Sequence, residues 1–163
     1  MSDMRVPSFP LKAIGHGRVV DLARLGVPAV LLFVGRETSD QAAPLSREIR
    51  ERYPLAAQVV ICNIADVRGI PRLVRKPVEM LMKSSYKDAV EGLELGRTPE
   101  EYVLILPDWD GVVYEAAGVT DVSKDLGAAV VDAEGRIIGV HQGPGAAQRV
   151  VELLEPQMAR PTA

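Results

Sequence analysis

The sequence predicts an α/β fold in which helices cover both faces of a mixed central sheet. Apolar stretches of strand length alternate along the chain with amphipathic stretches of helix length. Near the end, two apolar segments flank the turn Ala133-Glu134-Gly135, which is the pattern of an antiparallel hairpin. The predicted order is strand, helix, strand, long helix, strand, short helix, hairpin and helix, so one sheet combines parallel and antiparallel strands.

The first third of the chain contains a buried strand followed by a helix. Residues 2–16 mix proline, glycine and charge, and we expect them to lie along the surface. Residues 29–34 are apolar without alternation, which is typical of a strand covered on both faces. Thr38 followed by Gln41 matches a capping box that starts a helix, and Pro44 then falls inside this helix and bends it.

The rest of the chain continues the alternation. The remaining predicted elements are a strand at 59–64, a helix at 70–93 divided by Pro77, a strand at 102–106, a short helix at 112–117, hairpin strands at 127–132 and 136–141, and a helix at 144–154. The second part of the long helix carries apolar residues at helical spacing, namely Val78, Leu81, Met82, Ala89, Val90 and Leu93. We expect a single domain over residues 1–163, with a core from about residue 17 to residue 155 and flexible termini.

Composition narrows the possible partners. A hydrophobic content of 47% is ordinary for a folded protein. The net charge is −3 and the basic residues are scattered along the sequence, so we expect no nucleic-acid partner. The longest apolar stretch, residues 27–34, is too short to cross a bilayer, and residues 1–12 lack the blocks of a signal peptide. We therefore expect no membrane partner and a cytoplasmic location.

The sequence predicts neither a metal nor a cofactor. Cys62 is the only cysteine, which excludes an intrachain disulfide and a cysteine-rich zinc site. His16 and His141 lie far apart in sequence and give only a weak signal for a metal site.

Four stretches in a fixed order carry a resemblance to a known fold, namely residues 17–33, the helix with Pro44, residues 106–119 and residues 130–137. In this order they resemble the opening hairpin with the first core strand, the helix after the active-site turn, the segment before the final hairpin, and that hairpin in the thioredoxin-fold redoxins. The likeness is greatest to the alkyl hydroperoxide reductase and thiol-specific antioxidant branch. The resemblance implies a thioredoxin-like three-layer fold.

The departures from this family concern its chemistry. The resemblance places the family's cysteine, or Cys-x-x-Cys pair, between Thr38 and Ala42, where this chain has no thiol. Ser39 and Ala42 have the spacing of that pair. Thioredoxins also place a cis-proline before the fourth strand, and residues 122–127 contain no proline. We therefore interpret the chain as a redoxin-like binding or interaction module without a catalytic residue.

The candidate binding site is the mouth of the first helix, formed by Thr38, Ser39, Asp40 and Gln41. A helix N-terminus presents free N–H groups and the positive end of its dipole, which suits an anion or a partner's backbone, although simple capping explains the same residues. We expect the partner to be a protein or a small ligand, and the sequence is also compatible with a homodimer. The alternative function is a thiol-dependent antioxidant oxidoreductase or peroxidase that uses Cys62, whose position in mid-strand predicts burial.

A second local likeness involves the segment after the third strand. Asp108-x-Asp110-Gly111 resembles the magnesium-dependent phosphatase motif of the haloacid dehalogenases, in which the first aspartate is the nucleophile. Pro107 separates the strand from Asp108, and a short remaining length of chain would have to supply the rest of the site. Both observations count against this hypothesis.

Overall fold

The computed structural model describes residues 4–158. Its strands are β1 (Pro10–Lys12), β2 (Val19–Asp21), β3 (Ala29–Val34), β4 (Val60–Ala65), β5 (Ile105–Pro107), β6 (Gly127–Val131) and β7 (Ile137–Gln142). Its helices are α1 (Ser39–Arg52), α2 (Arg75–Glu91), α3 (Pro99–Tyr102), α4 (Val112–Ala117) and α5 (Ala146–Met158), with a 3₁₀ turn at Arg72–Val74.

A five-stranded mixed sheet forms the centre of the structure, with the strand order β5-β4-β3-β6-β7. β3, β4 and β5 are parallel, whereas β6 runs antiparallel to β3 and β7 antiparallel to β6. β1 and β2 form a separate antiparallel hairpin. The α/β class and the mixed sheet predicted from the sequence are confirmed.

The central strand β3 divides the core into two layers. Leu31 and Phe33 face the β1–β2 hairpin and α4, whereas Val30 and Leu32 face α1 and α5. Every residue of β3 is buried, which explains why its sequence is apolar without alternation. Two covered faces give the three-layer arrangement expected from the sequence.

The N-terminal segment belongs to the core. Residues 2–16 are predicted to lie along the surface, but Val6, Leu11, Ala13 and Ile14 are buried. The physical reason is that β1 pairs with β2 and this hairpin covers one face of the sheet. The core therefore begins before residue 17. The outermost parts of the termini, which are predicted to be flexible, lie outside the described residues.

At two prolines the observed elements differ from the predicted ones. Pro77 does not divide a helix, because α2 begins at Arg75 and the proline lies in the first turn, where its missing N–H needs no partner. Pro99 begins α3, so the following strand starts only at Ile105. Pro44, by contrast, lies inside α1 as predicted, and α1 buries Ala42, Leu45 and Ile49.

Among residues 4–158, no helix combines the length and the apolar composition needed to span a bilayer.

Candidate functional site

The carboxyl ends of three parallel strands meet at one edge of the sheet. Val34 at the end of β3 pairs with Ala65 at the end of β4, and Ala65 pairs with Pro107 at the end of β5. In open α/β sheets, ligands bind in the crevice outside the carboxyl ends of the strands. The segments that leave these three strands, which we call the carboxyl edge, therefore form the candidate site.

Thr38 occupies the N-cap position of α1, but its side chain does not cap the helix. The residue is fully buried, with 0% of its surface exposed. Its Oγ1 donates a hydrogen bond to the carbonyl of Val122 at 2.7 Å and accepts one from the N–H of Gly35 at 3.0 Å. The capping box predicted from Thr38 and Gln41 is therefore wrong, because the loop before β6 competes for the hydroxyl group.

Gln41 reaches the same loop. Its Nε2 donates to the carbonyl of Lys124, and its Oε1 accepts from the N–H of Leu126, each at 3.1 Å. Together with the bond from Thr38 to Val122, these contacts tie the start of α1 to residues 122–126. We call these three hydrogen bonds the α1 latch. The latch joins the turn where the resemblance noted above would place a thiol to the segment where it would place a proline.

Ser39 and Asp40 are the exposed members of the predicted site. The Ser39 hydroxyl donates to the carbonyl of Arg36 at 3.3 Å. Asp40 lies in the first turn, where a negative charge interacts favourably with the helix dipole. A serine nucleophile needs a general base, and the hydrogen bonds of residues 4–158 bring no histidine or carboxylate to Ser39. The exposed part of the mouth therefore carries no catalytic pair.

Cys62 lies in β4 and is completely buried, as predicted. It lies three residues before Ala65, which places it about 10 Å along the strand from the carboxyl edge. Burial raises the pKa of the thiol to about 12, although the positive charges of Arg18 and Arg50 act in the opposite direction. The thiolate, which is the nucleophilic form, is therefore scarce at neutral pH.

Asp108 is a structural cap for α4. Its buried carboxylate accepts hydrogen bonds from the N–H groups of Val112, Val113 and Tyr114 at 3.0, 2.9 and 3.0 Å. Burial raises the pKa of this carboxyl group, and the three hydrogen bonds only partly offset that effect. The structure opposes the phosphatase hypothesis, since the supposed nucleophile is buried and both of its oxygens accept hydrogen bonds from the backbone of the following helix. An aspartate four residues before a helix was the available signal for this role.

Arg68 also belongs to the carboxyl edge, and sequence reasoning missed it. Its Nε and one terminal nitrogen form a two-pronged ion pair with Asp66 at 2.7 and 3.0 Å. The guanidinium group also donates to the carbonyls of Val119 and Thr120, and it lies 4.2 Å from the ring centre of Tyr114. Arg68 thus holds the segment before β6 against the ends of β4 and α4. Its donors are used inside the molecule.

Two open hollows flank these contacts. One, of about 390 Å³, lies between α1 and the start of α5 and includes Gln41, Pro44 and residues 143–147. The other, of about 480 Å³, lies beside Arg68 and Trp109. The first hollow is lined by the carboxylates of Glu48 and Asp125, and the second by those of Asp110 and Glu115, but within the described part of the chain neither is lined by a histidine, a cysteine or a serine.

The histidines do not form a metal site. The Nε2 of His16 is hydrogen bonded to the carbonyl of Val103 at 2.9 Å, and that of His141 to the carbonyl of Pro144 at 2.8 Å. Within residues 4–158, no three His, Cys, Asp or Glu side chains converge as metal ligands would.

Comparison with known proteins identifies the fold. No family model matches the sequence, and no curated protein matches it. Among solved structures, the exposed lipoprotein thioredoxin of Streptococcus pneumoniae strain TIGR4 matches with a TM-score of 0.62 and 22% identity, over 92% of this chain and 99% of that chain. StoA from Bacillus subtilis matches with a TM-score of 0.59 and 16% identity, over 91% of this chain and 100% of that chain.

A third similar structure is a thiol:disulfide interchange protein of the thioredoxin family from Chlorobium tepidum TLS. It has a TM-score of 0.57 and 13% identity, over 98% of this chain and 99% of that chain. At these identities the likeness concerns the fold alone. The thioredoxin-like fold predicted from the sequence is therefore confirmed.

Proposed function

We propose that this chain is a non-catalytic binding module built on the thioredoxin fold. The α1 latch is the observation that carries the proposal. At the turn where the redoxins carry their thiol chemistry, Thr38 and Gln41 instead hold residues 122–126 through three hydrogen bonds. Groups that a catalytic turn would offer to a substrate are here bonded to the protein's own backbone.

A thiol-dependent antioxidant oxidoreductase or peroxidase is the second candidate. The structural neighbours favour it, since one of them is a thiol:disulfide interchange protein of the thioredoxin family. The resemblance of the sequence to the alkyl hydroperoxide reductase and thiol-specific antioxidant branch also favours this thiol enzyme. Such an enzyme would have to use Cys62, whose burial and raised pKa both oppose nucleophilic attack.

The partner of the proposed module is a protein, and its proposed location is the cytoplasm. A single cysteine cannot form an intrachain disulfide, so the fold gains no stability from an oxidising compartment. Fractionation of cells that express the full chain tests this location. Recovery in a secreted or periplasmic fraction would contradict it.

An activity assay separates the two candidates. Reduction of insulin disulfides by dithiothreitol, and consumption of hydrogen peroxide with a thiol donor, should proceed with the protein at the uncatalysed rate. Turnover that Cys62→Ser abolishes would refute the binding module and establish the thiol enzyme. Turnover that survives this substitution would point to a contaminating redoxin.

Thiol labelling provides an independent measurement. Cys62 should react slowly with an aromatic disulfide reagent in the native protein and rapidly after denaturation, because the folded strand excludes the reagent. The matched control is Ser39→Cys combined with Cys62→Ser, which places one thiol at an exposed helix start. This control should react rapidly in the native state. Equal rates for native and denatured Cys62 would contradict the assigned burial.

A further inference from the structure

α2 is fixed to the body of the protein by a few contacts, and none of its residues is buried. The Tyr86 ring packs edge-on to His16, with ring centres 5.7 Å apart. A Cβ atom at Gly15 would approach that ring to 2.4 Å, so only glycine permits this contact. Near the other end, Arg75 lies 4.7 Å from the ring centre of Trp109. These contacts determine which side of α2 faces outward.

The outward side carries a row of large apolar residues. Leu73 is 95% exposed, Met80 70% and Leu81 68%. Pro77, Met80 and Leu81 stand at positions i, i+3 and i+4, so they share one line along the helix, and Leu73 precedes Pro77 by four residues. We call Leu73, Pro77, Met80 and Leu81 the outer stripe. Single exposed apolar residues are ordinary, but a contiguous row of them marks an interaction surface.

A line of positive charge runs beside the outer stripe. Lys76, Lys83 and Lys87 are exposed and stand at positions i, i+7 and i+11, about a quarter turn around the helix from the stripe. None of the ion pairs formed within residues 4–158 includes these three lysines. Residues 72–87 contain five basic residues and one acidic residue, although the whole chain has a net charge of −3. Asp88 and Glu91 follow in the last turn of α2, so the positive charge lies along the earlier turns of the helix rather than along its whole length.

We propose that the outer stripe and its lysine line are the docking surface for an acidic amphipathic segment of another protein. The inference rests on the proposed binding function and identifies the chemistry of the partner. A helix with leucines along one face and carboxylates along the neighbouring edge would match both lines at once. Met80 suits such a surface, because its flexible thioether side chain adapts to different partners.

Two other occupants fit less well. A bilayer surface is normally met by tryptophan or tyrosine anchors and by bulky aromatic residues, and the outer stripe contains none of these. A second copy paired through antiparallel α2 helices would bring one lysine line opposite the other, and facing like charges oppose that arrangement. A carboxylate-bearing partner avoids this repulsion.

A titration with a designed peptide tests the proposal. The isotope-labelled full chain is titrated with an acidic peptide of about 18 residues that repeats leucine at helical spacing and carries glutamate elsewhere. The control peptide has the same composition in shuffled order. We expect amide shifts confined to residues 72–91, weaker binding at higher salt, and at least tenfold weaker binding of the shuffled peptide, as a rough expectation.

Substitutions on α2 and matched controls elsewhere identify the residues that bind the peptide. Leu81→Asp and Lys83→Glu should each weaken binding by about fivefold or more. Leu55→Asp changes an exposed leucine elsewhere on the surface, and Lys12→Glu makes the same charge change in β1, so both should bind like the wild type. Circular dichroism of each variant shows whether the fold is retained.

Four results would overturn the proposal. The first is equal binding of the two peptides, and the second is binding that Leu81→Asp and Lys83→Glu leave unchanged. The third is sedimentation with anionic phosphatidylglycerol vesicles that depends on Leu81 and replaces peptide binding. The fourth is a dimer in sedimentation equilibrium that depends on Leu81. Thiol turnover in the insulin assay would refute the proposed function without moving any of these readouts. The two failures are therefore distinguishable.

Discussion

The carboxyl edge of the sheet and the outer stripe of α2 differ in how their groups are partnered. At the carboxyl edge, Thr38, Arg68 and Asp108 direct their donors and acceptors to the protein's own backbone and side chains. On α2, large apolar side chains are exposed and neighbouring lysines have no ion pair within the described part of the chain. Opening internal hydrogen bonds to admit a ligand costs free energy, whereas the stripe can bind without that cost. This contrast favours recognition on α2.

The same contrast predicts how substitutions affect stability. A side chain that satisfies buried backbone groups leaves them unpaired when it is removed, and that loss is expensive. An exposed side chain that contacts little can be replaced at almost no cost. Variants at the carboxyl edge should therefore lower the free energy of unfolding, and variants on the outer stripe should lower partner binding alone.

The largest effect is expected for Asp108→Ala. The substitution removes the acceptor of three backbone N–H groups, two of which belong to the buried residues Val113 and Tyr114. We expect a loss of about 3 kcal/mol in the free energy of unfolding, measured by urea denaturation. The control is Asp110→Ala in the same turn, where the side chain is exposed and the loss should stay below about 0.5 kcal/mol. Equal effects at the two positions would contradict the capping role.

Thr38→Val should have the next largest effect. Valine keeps the shape of threonine but leaves the N–H of Gly35 and the carbonyl of Val122 without their partner. We expect a loss of about 2 kcal/mol, with most of it restored in Thr38→Ser because serine retains the hydroxyl group. A neutral Thr38→Val would show that the Thr38 bond of the α1 latch contributes nothing and would leave only the two Gln41 bonds to support the closed turn.

Pro44→Ala should change stability by less than about 1 kcal/mol in either direction. Alanine restores the N–H that can pair with the carbonyl of Asp40, but it also makes the unfolded chain more flexible. A small net effect is consistent with α1 starting at Ser39 and continuing through the proline. Amide exchange at residue 44 should show protection in the variant. Rapid exchange there would indicate a helix that begins only at residue 44.

The order of elements was predictable because each left a local pattern. The unbroken apolar run of β3 and the glycine turn between β6 and β7 are signals that neighbouring residues supply. β1 was missed because its three residues, Pro10–Lys12, carry no pattern of their own and become a strand only by pairing with β2. α3 was missed because Pro99–Tyr102 is too short to show a helical period.

The candidate site was less predictable because its contacts join distant parts of the chain. Thr38 bonds to a carbonyl 84 positions away, and Arg68 reaches Thr120 across 52 positions. No local pattern encodes such pairs. The sequence also showed Leu81 and Met82 on one amphipathic helix, but it could not show which would face outward. The packing of Tyr86 against Gly15 and of Arg75 against Trp109 decides that Leu81 is exposed and Met82 half-buried.

The smallest stability effect is expected for Leu81→Asp, and it provides the sharpest test of the comparison. The leucine is 68% exposed, so its replacement exposes little new apolar surface and leaves no backbone group unpaired. We expect a loss of only about 0.5 kcal/mol in the free energy of unfolding, because aspartate is a poorer helix former than leucine by about that amount. Thermal unfolding should lie close to that of Leu55→Asp, apart from the small helix cost that only the α2 position carries, although only Leu81→Asp should lose binding of the acidic peptide. A destabilisation comparable to that of Thr38→Val would mean that Leu81 packs against the protein itself. The contrast between the hydrogen-bonded carboxyl edge and the exposed outer stripe would then fail, because α2 would be part of the core rather than a binding surface.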